Sequence, residues 1–415
     1  MKGITLLATG DFTHPLWLRE LEESLEEAEE GLYRLRPKDS RARGSDGVSQ
    51  PSVPRSCRRE IRFILCCEVS NVYRRFEKTR RVHNLVFMPN FAAVKRFNQS
   101  LSRFARLESD GRPIMGMDCE DLLSLVLDTS QQAFLTPAHV WTPHFSLFGS
   151  GSGFDSIEEC YGDLSKHIHS METGLSSDPS MYGRLSFLDG ITLISNSDAH
   201  SPENLGREAN VFSTALDYPS IKRAIESSSG LEATIELFPQ EGKYHFDGHR
   251  NCDLRLTPQE SKELGYRCPK CERKLTLGVL HRIEALSDRD AEEIPPSRVE
   301  FESLLPLDEI LSELLSVGSK SKRVSRAHRF LISEFAGELP LLREHSIADI
   351  GDIAGVALAE SIRRLRKGEV KIVGGYDGRY GRVELFSEEE REQYITRSNT
   401  RKLFPREIGR ASCRE

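Results

Sequence analysis

The sequence predicts an α/β protein in which mostly parallel strands alternate with helices, and two observations support this fold class. Short apolar runs of strand length alternate with amphipathic stretches of helix length over the first half of the chain. The chain also has 415 residues, of which 38% are hydrophobic and 29% charged, so it is long enough for one large core or for two to three domains. This composition excludes disordered, collagenous and coiled-coil proteins.

The predicted elements follow one another as strand and helix from the first residues. Ile4–Asp11 has the pattern of a buried strand that ends in a polar turn, and Pro15–Glu30 predicts an amphipathic helix rich in Leu and Glu. The further predicted strands are Ile61–Val69, Val82–Met88, Phe134–His139 and Gly190–Ser195. The predicted helices between them include Asn90–Phe104 and Glu120–Ser130.

Changes in composition divide the chain into segments. Residues 36–59 are rich in Pro, Gly and Ser without periodicity and predict a flexible surface loop inside a first domain, 1–238. A cysteine cluster marks a second domain, 239–290, and the linker Glu292–Pro296 precedes a third region, 297–390. Within the tail 391–415, residues 408–415 resemble the translation of a sequencing-adapter oligonucleotide and are left out of fold reasoning.

Charge and hydropathy narrow the class of protein. The formal net charge is −7, so any nucleic acid must be bound by local basic patches and not by the field of the whole chain. No apolar run reaches the length of a membrane span, and the short apolar start has no signal-peptide pattern. The nine scattered cysteines do not form the pattern of a secreted disulfide framework. We therefore expect a cytoplasmic protein.

Residues of metal-binding type stand at or just after the ends of the predicted strands. They are Asp11, His14, Glu68, His83, His139, Asp198 and His200. A single histidine at a strand end is more often an ordinary hydrogen-bonded residue than a ligand, but the set is stronger than its members. Mixed histidine and carboxylate ligands suit Zn²⁺, Mn²⁺ or Fe²⁺, and a cluster of such ions can activate water against a phosphate ester. The set therefore indicates phosphoester hydrolysis.

Several of these stretches together resemble a known family, the PHP (polymerase and histidinol phosphatase) phosphoesterases, and within it the endonuclease Q family. Asn196–His200 is similar to the last PHP motif, and Glu68, His83 and His139 fall in the order of the middle motifs. The stretches specific to endonuclease Q are Thr9–Asp11 with His14 and Pro15, Pro137–Asp155, and Glu172–Asp178. The resemblance covers nearly the whole chain up to about Phe386.

The resemblance implies a fold, a metal site and a reaction. The fold would be a distorted (β/α)7 barrel, followed by a small zinc-binding domain and a mainly helical, DNA-contacting C-terminal region. The strand-end residues would be catalytic and hold Mn²⁺, Mg²⁺ or Zn²⁺, with His14 as a further candidate ligand. The enzyme would be a DNA repair endonuclease that cuts single- or double-stranded DNA on the 5′ side of a deaminated base (uracil, hypoxanthine or xanthine) or of an abasic site.

One family motif is absent from the printed sequence. Members of the family begin with a strand that bears His-x-His and supplies two ligands, whereas this chain starts at a stretch that resembles the second strand. We therefore expect an N-terminally truncated chain whose barrel lacks its first strand. If the motif is instead truly lost, a non-catalytic DNA-binding protein is the alternative function.

The cysteine cluster has the spacing of a structural zinc site. His249-x₂-Cys252 is followed by Cys268-x₂-Cys271, which gives four ligands in two pairs, close to the arrangement in zinc fingers and ribbons. The alternative is a reduced Cys-x₂-Cys turn without metal, and His245 competes with His249 as the fourth ligand. A PHP phosphatase acting on a small phosphomonoester would not need this segment.

Basic residues form local clusters that are candidates for DNA contact. The best of them follows the Gly318–Ser319 break and consists of Lys320, Lys322, Arg323, Arg326 and Arg329. Such runs are about as often solvated faces as phosphate-binding surfaces. The motif Tyr376–Gly381 could place aromatic rings near DNA, although a tight hairpin turn is the more common structure for it.

Overall fold

The structure, a computed structural model, describes residues 1–37, 60–109, 111–290, 293–394 and 400–404. Almost all of the predicted loop 36–59 and the whole of 408–415 lie outside these residues. The strands are β1 (Leu6–Ala8), β2 (Leu25–Glu29), β3 (Leu32–Leu35), β4 (Arg62–Arg75), β5 (Lys78–Met88), β6 (Ile114–Met115), β7 (Phe134–Pro137), β8 (Ser170–Glu172), β9 (Thr192–Ile194), β10 (Ala209–Phe212), β11 (Leu231–Glu236), β12 (Asp247–His249), β13 (Leu254–Leu256), β14 (Glu300–Ser303), β15 (Lys371–Val373) and β16 (Arg382–Glu384). The α-helices are α1 (Pro15–Ser24), α2 (Phe91–Leu101), α3 (Cys119–Thr129), α4 (Ile157–Tyr161), α5 (Tyr218–Ser227), α6 (Pro258–Glu263), α7 (Val279–Leu286), α8 (Leu307–Leu315), α9 (Lys322–Glu334), α10 (Glu338–Arg343), α11 (Ile347–Ala354), α12 (Val356–Lys367) and α13 (Glu388–Tyr394).

The mixed α/β architecture is confirmed, but the expectation of mostly parallel strands is wrong for the central sheet. That sheet runs β2-β3-β4-β5-β7 with antiparallel neighbours, and β1 and β6 add to β4 in parallel. For the longest pair, β4 and β5, the reason is the two-residue turn between them, in which Phe76 and Glu77 have φ of 50° and 58°. Two left-handed residues in succession make a tight hairpin that returns the chain antiparallel.

The predicted helix Pro15–Glu30 is half correct. A helix begins at Pro15 and ends at Ser24, after which the chain becomes β2 and pairs with β3. Two contacts favour the strand over a longer helix. Gly31 turns the chain with φ of 67° and donates its N–H to Glu27 at 3.1 Å, and Glu29 binds the Arg62 guanidinium on β4 at 2.5 Å.

Helices α2 and α3 cover one face of the central sheet. Asn90 and Asp118 cap their first turns through side-chain oxygens that accept from Ala93 and Asp121, which explains where both helices begin. The buried side chains of these helices include Val94, Phe97, Leu122, Leu123 and Val126, and all of them belong to the same apolar core as the sheet. This core holds the long strands β4 and β5 in place.

Helices α8 to α12 build a separate apolar core near the C-terminus, and the first residues of the chain are attached to it. The core contains Ile310, Leu311, Leu331, Leu358 and Ile362. Backbone carbonyls of Met1 and Lys2 accept from the amides of Glu338 and Leu339 at 3.0 Å each. The N-terminal segment therefore ties the helical unit to the sheet that begins at β1.

The motif Tyr376–Gly381 forms a tight hairpin turn, which confirms the more common of its two interpretations. Strands β15 and β16 pair antiparallel, and the turn has left-handed Asp377 and Gly378, with φ of 43° and 82°. Glycine is required at Gly374 and Gly381 because a Cβ would overlap Phe246 and the carbonyl of Gln240. This hairpin therefore packs backbone against backbone on the segment that precedes β12.

The helices that the structure describes differ from membrane-spanning helices in length or in polarity. None of them combines the length and the apolar character that crossing a bilayer requires.

We predict that Glu338 stabilises the attachment of the N-terminal segment in a pH-dependent way. Its carboxylate accepts from Lys2 at 2.6 Å and from the amide of Leu307 at 3.1 Å. Burial opposes its ionisation, but His328, Lys2 and Leu307 outweigh burial and lower its pKa from 4.5 to about 2. A lowered pKa contributes stability above pH 4.5 that is lost as the pH falls towards 2, at most about 3 kcal/mol.

The variant Glu338→Gln should therefore lower the free energy of unfolding at pH 7 by about 1 to 3 kcal/mol. Urea titrations at several pH values measure the difference from the unaltered protein, which should shrink between pH 4.5 and 2. Glu334→Gln, at an exposed position of α9, serves as the control and should change little. A difference that does not depend on pH would contradict the prediction.

Candidate functional site

The register between β4 and β5 brings the first two predicted ligands together. Glu68 lies opposite Leu85 and Ser70 lies opposite His83, so Glu68 and His83 are diagonal neighbours on one face of the sheet. Their side chains meet, with His83 Nδ1 at 2.8 Å from Glu68 Oε1. Both side chains are largely shielded, with 11% and 16% of their surface exposed.

His139 joins this pair from the end of β7. The strand ends at Pro137, and the amide of Ala138 still donates to the carbonyl of His83 at 3.0 Å. His139 Nε2 then lies 3.0 Å from His83 Nδ1 and 3.8 Å from Glu68 Oε1. One potential ligand atom from each of the three residues lies within 4.8 Å of the other two.

Three of the predicted ligand residues have a strained backbone. Asp11, His139 and Asp198 adopt left-handed conformations with φ of 32°, 32° and 42°. Such conformations cost about 1 to 3 kcal/mol for residues other than glycine and cluster at functional sites. Each of the three follows a strand of the fold: Asp11 follows β1, His139 follows β7 and Asp198 follows β9.

The electrostatics of Glu68 and His83 favour metal binding. Burial opposes ionisation of Glu68, but the hydrogen bond from His83 and nearby positive charges outweigh it and lower the pKa of the carboxyl. Burial lowers the pKa of His83, and the contact with Glu68 only partly offsets this effect. An ionised carboxylate and a neutral imidazole are the forms in which these side chains bind a metal ion.

Glu172 at the end of β8 is a site residue that the predicted ligand set did not include. Its carboxylate accepts from the amide of His139 at 2.8 Å and lies 3.4 Å from His139 Nδ1. Burial disfavours the charged ring of His139, but the Glu172 carboxylate more than offsets this and raises the pKa of His139. Asn196 donates to Glu172 at 2.9 Å and fixes it in turn. Glu172 thus orients the His139 ring, as carboxylates do behind metal-bound histidines.

The remaining predicted ligands, all of them described by the structure, are not members of this compact group. Desolvation and the charge of Glu68 raise the pKa of Asp11, and the charges of Arg112 and His14 offset this only in part. The Asp198 carboxylate interacts with the charge on His139, and it lies 3.4 Å from His200 Nε2. The His200 side chain is 72% exposed, so the structure does not bring it into the compact group.

Arg207 holds the Asp198 loop in place. Its Nε donates to the carbonyl of Ser197 at 2.8 Å, and its Nη2 donates to the carbonyl of Asp198 at 3.2 Å. These bonds brace the left-handed backbone of Asp198. No sequence pattern marks Arg207, because its partners are backbone carbonyls nine and ten positions earlier in the chain.

The residues present fit a divalent metal ion. Two imidazole nitrogens and a carboxylate oxygen converge at Glu68, His83 and His139, and the donor types suit Zn²⁺ or Mn²⁺. Asp11 and Asp198 are close enough for their charges to act on this group.

The predicted zinc ligands form a second compact group. His249, Cys252, Cys268 and Cys271 each offer one ligand atom within 4.8 Å of the others. His249 ends β12, and its Nδ1 lies 3.5 Å from Cys271 Sγ. His245 is buried apart from this group, so the geometry favours His249 as the fourth member. The donor set suits a closed tetrahedral zinc site.

The backbone around Cys268 favours its thiolate. Burial raises the pKa of Cys268, but the amides of Lys270 and Cys271 point at its sulfur and the net effect lowers the pKa to about 7. Thiolates are the form in which cysteine binds zinc. The turn that contains these amides is closed by the bond from Cys271 N to the carbonyl of Cys268 at 3.3 Å.

Helix α7 connects the cysteine cluster to the loop that follows His139. Asp247, next to the cluster, accepts from the amide of Gly278 and from His281 Nδ1, both at 2.7 Å, and so fixes the start of α7. From the same helix Arg282 donates to the carbonyls of Phe148 and Phe154 at 2.9 and 2.8 Å. The loop between the two phenylalanines therefore depends on α7 for its position.

The five predicted DNA-contacting residues form an exposed surface, which we call the basic row. It consists of Lys320, just before α9, and of Lys322, Arg323, Arg326 and Arg329 along the first half of α9 and its middle. Hydrogen bonds from its own amide and from Ser201 lower the pKa of Glu203, and the charge of Lys320 lowers it further. Lys320 therefore lies on the side of the molecule that carries the loop after Asp198.

The other basic clusters are largely occupied by intramolecular contacts. Arg363 and Arg364 both bind Glu360, and Arg364 also binds Glu390 at 2.6 Å. Arg80 donates to the backbone of Gly153 and stacks over Phe154. Their contacts explain these arginines without a nucleic acid.

Comparison with known proteins finds relatives of the C-terminal helices and of longer parts of the chain. Residues 306–369, which contain α8 to α12, match the family described as the MJ0043 C-terminal domain. The uncharacterized protein MJ0043 of Methanocaldococcus jannaschii is 34% identical over 253 residues, which are 59% of this chain but only 31% of that relative. The chain therefore spans about a third of MJ0043. The uncharacterized protein YqxK of Bacillus subtilis is 28% identical over 312 residues, 73% of each chain.

Two crystal structures resemble the fold over almost its full length. The lesion-specific endonuclease PfuEndoQ from Pyrococcus furiosus has a TM-score of 0.77 and 29% identity, covering 94% of this chain and 91% of that one. Endonuclease Q in complex with a 27-mer duplex substrate with an abasic lesion at the active site has a TM-score of 0.75 and 30% identity, covering 94% and 89%. This chain belongs to the endonuclease Q family. The family relationship agrees with the resemblance found in the sequence motifs.

For this member of the endonuclease Q family we predict that Cys268→Ser lowers both zinc content and thermal stability. The substitution removes a thiolate ligand, and zinc binding is coupled to folding at such sites. Elemental analysis of purified protein and a melting curve measure the two effects.

Cys119→Ser is the control, because Cys119 is buried in α3 outside the cluster. It should retain its zinc even where packing suffers. Equal zinc content in both variants and the unaltered protein would contradict the assignment of Cys268.

Proposed function

We propose that this endonuclease Q family member is a metal-dependent DNA repair endonuclease. It hydrolyses the phosphodiester on the 5′ side of a deaminated base (uracil, hypoxanthine or xanthine) or of an abasic site, and leaves a 3′-hydroxyl. The observation that carries the proposal is the convergence of Glu68 in the middle of β4, His83 in the middle of β5 and His139 just after β7 within 4.8 Å, in a fold shared with lesion-specific endonucleases.

The proposed catalytic residues are the three central ligands and the groups around them. Asp11, His14, Asp198 and His200 are proposed to complete the ligand set. Bound Mn²⁺, Mg²⁺ or Zn²⁺ would supply an activated water and offset the charge that develops on the scissile phosphate. Glu172 keeps His139 oriented, and Arg207 keeps the Asp198 loop in its strained conformation. A protein nucleophile is not required.

The basic row is proposed to bind the DNA backbone. Its residues are exposed, and Ser321 caps α9, so that lysine and arginine side chains surround a helix N-terminus. Helix N-termini and cationic side chains both attract phosphates. The charge of Lys320 acts on Glu203, five residues after Asp198, so this end of the basic row faces the segment that follows Asp198.

Part of the lesion selectivity is proposed to come from the DNA. Deaminated bases pair poorly and abasic sites do not pair, so exposing the backbone at such a site costs less free energy than at a normal pair.

One structural zinc ion is proposed to bind to His249, Cys252, Cys268 and Cys271. It would stabilise the start of α7, and Arg282 of this helix holds the loop that follows His139. The cytoplasmic location stays a prediction.

We predict that Glu68→Gln lowers the nicking rate by about 10²-fold or more, because the neutral amide binds a divalent ion poorly. The measurement is a single-turnover assay with Mn²⁺ on end-labelled duplexes that carry one abasic site, deoxyuridine or deoxyinosine. Duplex binding in a calcium buffer should be unchanged, since the basic row is intact.

The control variant is Glu158→Gln, at an exposed position of α4, which should nick at the normal rate. An undamaged duplex and a small phosphomonoester complete the set of substrates. Hydrolysis of the monoester alone would assign the site to a phosphatase, and undiminished nicking by Glu68→Gln would show that the reaction does not use this carboxylate.

A further inference from the structure

A positively charged side chain, that of Arg112, contacts the compact ligand group. Arg112, in the segment before β6, directs Nη1 to Glu68 Oε1 at 2.6 Å and to His83 Nδ1 at 2.7 Å. Burial and the charge of Glu68 raise the pKa of Asp11, and the charge of Arg112 partly offsets this rise. One guanidinium therefore acts on three of the proposed metal ligands, and its side chain is 23% exposed, at the mouth of the group.

Arg112 cannot itself be a ligand, because a guanidinium has no free lone pair and stays protonated. It shares Glu68 Oε1 with His83 Nδ1, which lies 2.8 Å away from that oxygen. A divalent ion bound to Glu68 would draw on this same oxygen and would repel the guanidinium. Arg112 and a bound metal therefore compete for Glu68.

The backbone around Arg112 keeps the side chain at the mouth of the group. The carbonyl of Pro113 accepts from the amide of Ser70 at 2.9 Å, and β6 pairs with β4 at Ser70 and Asn71. Displacement from Glu68 would thus move only the end of the side chain towards the exposed side. There its planar donors would face the anion that approaches the ligand group, and in DNA that anion is a phosphate.

We infer that Arg112 is a catalytic residue that binds the scissile phosphate beside the metal site. The inference rests on the proposed function, because the anion is taken to be a DNA phosphate. A guanidinium that contacts the non-bridging oxygens stabilises the charge of the transition state, as arginines do in phosphoryl transfer. Glu68 would then bind Arg112 when no metal ion is present and would bind the metal ion when one is present.

The test uses the full chain and the variant Arg112→Met, with Arg103→Met as the matched control at an exposed position of the preceding segment. The first readout is Mn²⁺ affinity by titration calorimetry without DNA. The second is the affinity of the Mn²⁺-loaded protein for inorganic phosphate, also by calorimetry, and the third is single-turnover nicking of an abasic duplex. Free guanidinium at millimolar concentration is added to Arg112→Met as a rescue.

For Arg112→Met we expect a Mn²⁺ affinity that is equal or higher and a phosphate affinity that is about tenfold lower. Nicking should be slowed by about 10²-fold or more and partly rescued by guanidinium. Arg103→Met should match the unaltered protein. A fall in Mn²⁺ affinity together with nicking would overturn the inference, because Arg112 would then only orient Glu68. Unchanged phosphate affinity and nicking would also overturn it. If the unaltered protein does not nick DNA, the proposed function fails, whereas the Mn²⁺ and phosphate measurements still decide the role of Arg112.

Discussion

The register of the β4–β5 hairpin is the constraint on which the rest of the site depends. It runs from Leu65 opposite Met88 to Arg75 opposite Lys78, and it sets Glu68 and His83 side by side. A slip of one residue would move one of these side chains to the opposite face of the sheet. His139 reaches the pair through β7, which is paired with β5, so one ladder of backbone hydrogen bonds determines the positions of three functional groups.

Parts of the chain far apart in sequence support this sheet. The N-terminal residues bind the start of α10, and the hairpin β15–β16 packs on the segment before β12. The cysteine cluster acts at a distance, because α7 starts beside it and carries Arg282 to the loop after His139. Loss of zinc is therefore expected to disturb the loop near the candidate active site as well as the cluster. The C-terminal helices in turn present the basic row.

The sequence was informative where residue type and spacing carry the signal. Glu68, His83 and His139 were recognisable as residues of metal-binding type, although the expected strand-end position is wrong for Glu68 and His83, which lie in the middle of the long strands β4 and β5. The Cys-x₂-Cys pair with His249 was recognisable from spacing alone. The hairpin between β4 and β5 was not predictable, because Phe76 and Glu77 lack the Asn-Gly signal of such turns. Arg112 and Arg207 were missed for a different reason, since each lies in an irregular segment and acts through tertiary contacts.

The central claim is that Glu68, His83 and His139 bind a metal ion together. Crystals grown with Zn²⁺ and measured at the zinc absorption edge test it most directly, and the His249 cluster provides an internal control. The predicted result is an anomalous peak roughly 2.0–2.2 Å from a carboxylate oxygen of Glu68 and from a ring nitrogen of each histidine. A peak at the His249 cluster with none at Glu68 would contradict the claim.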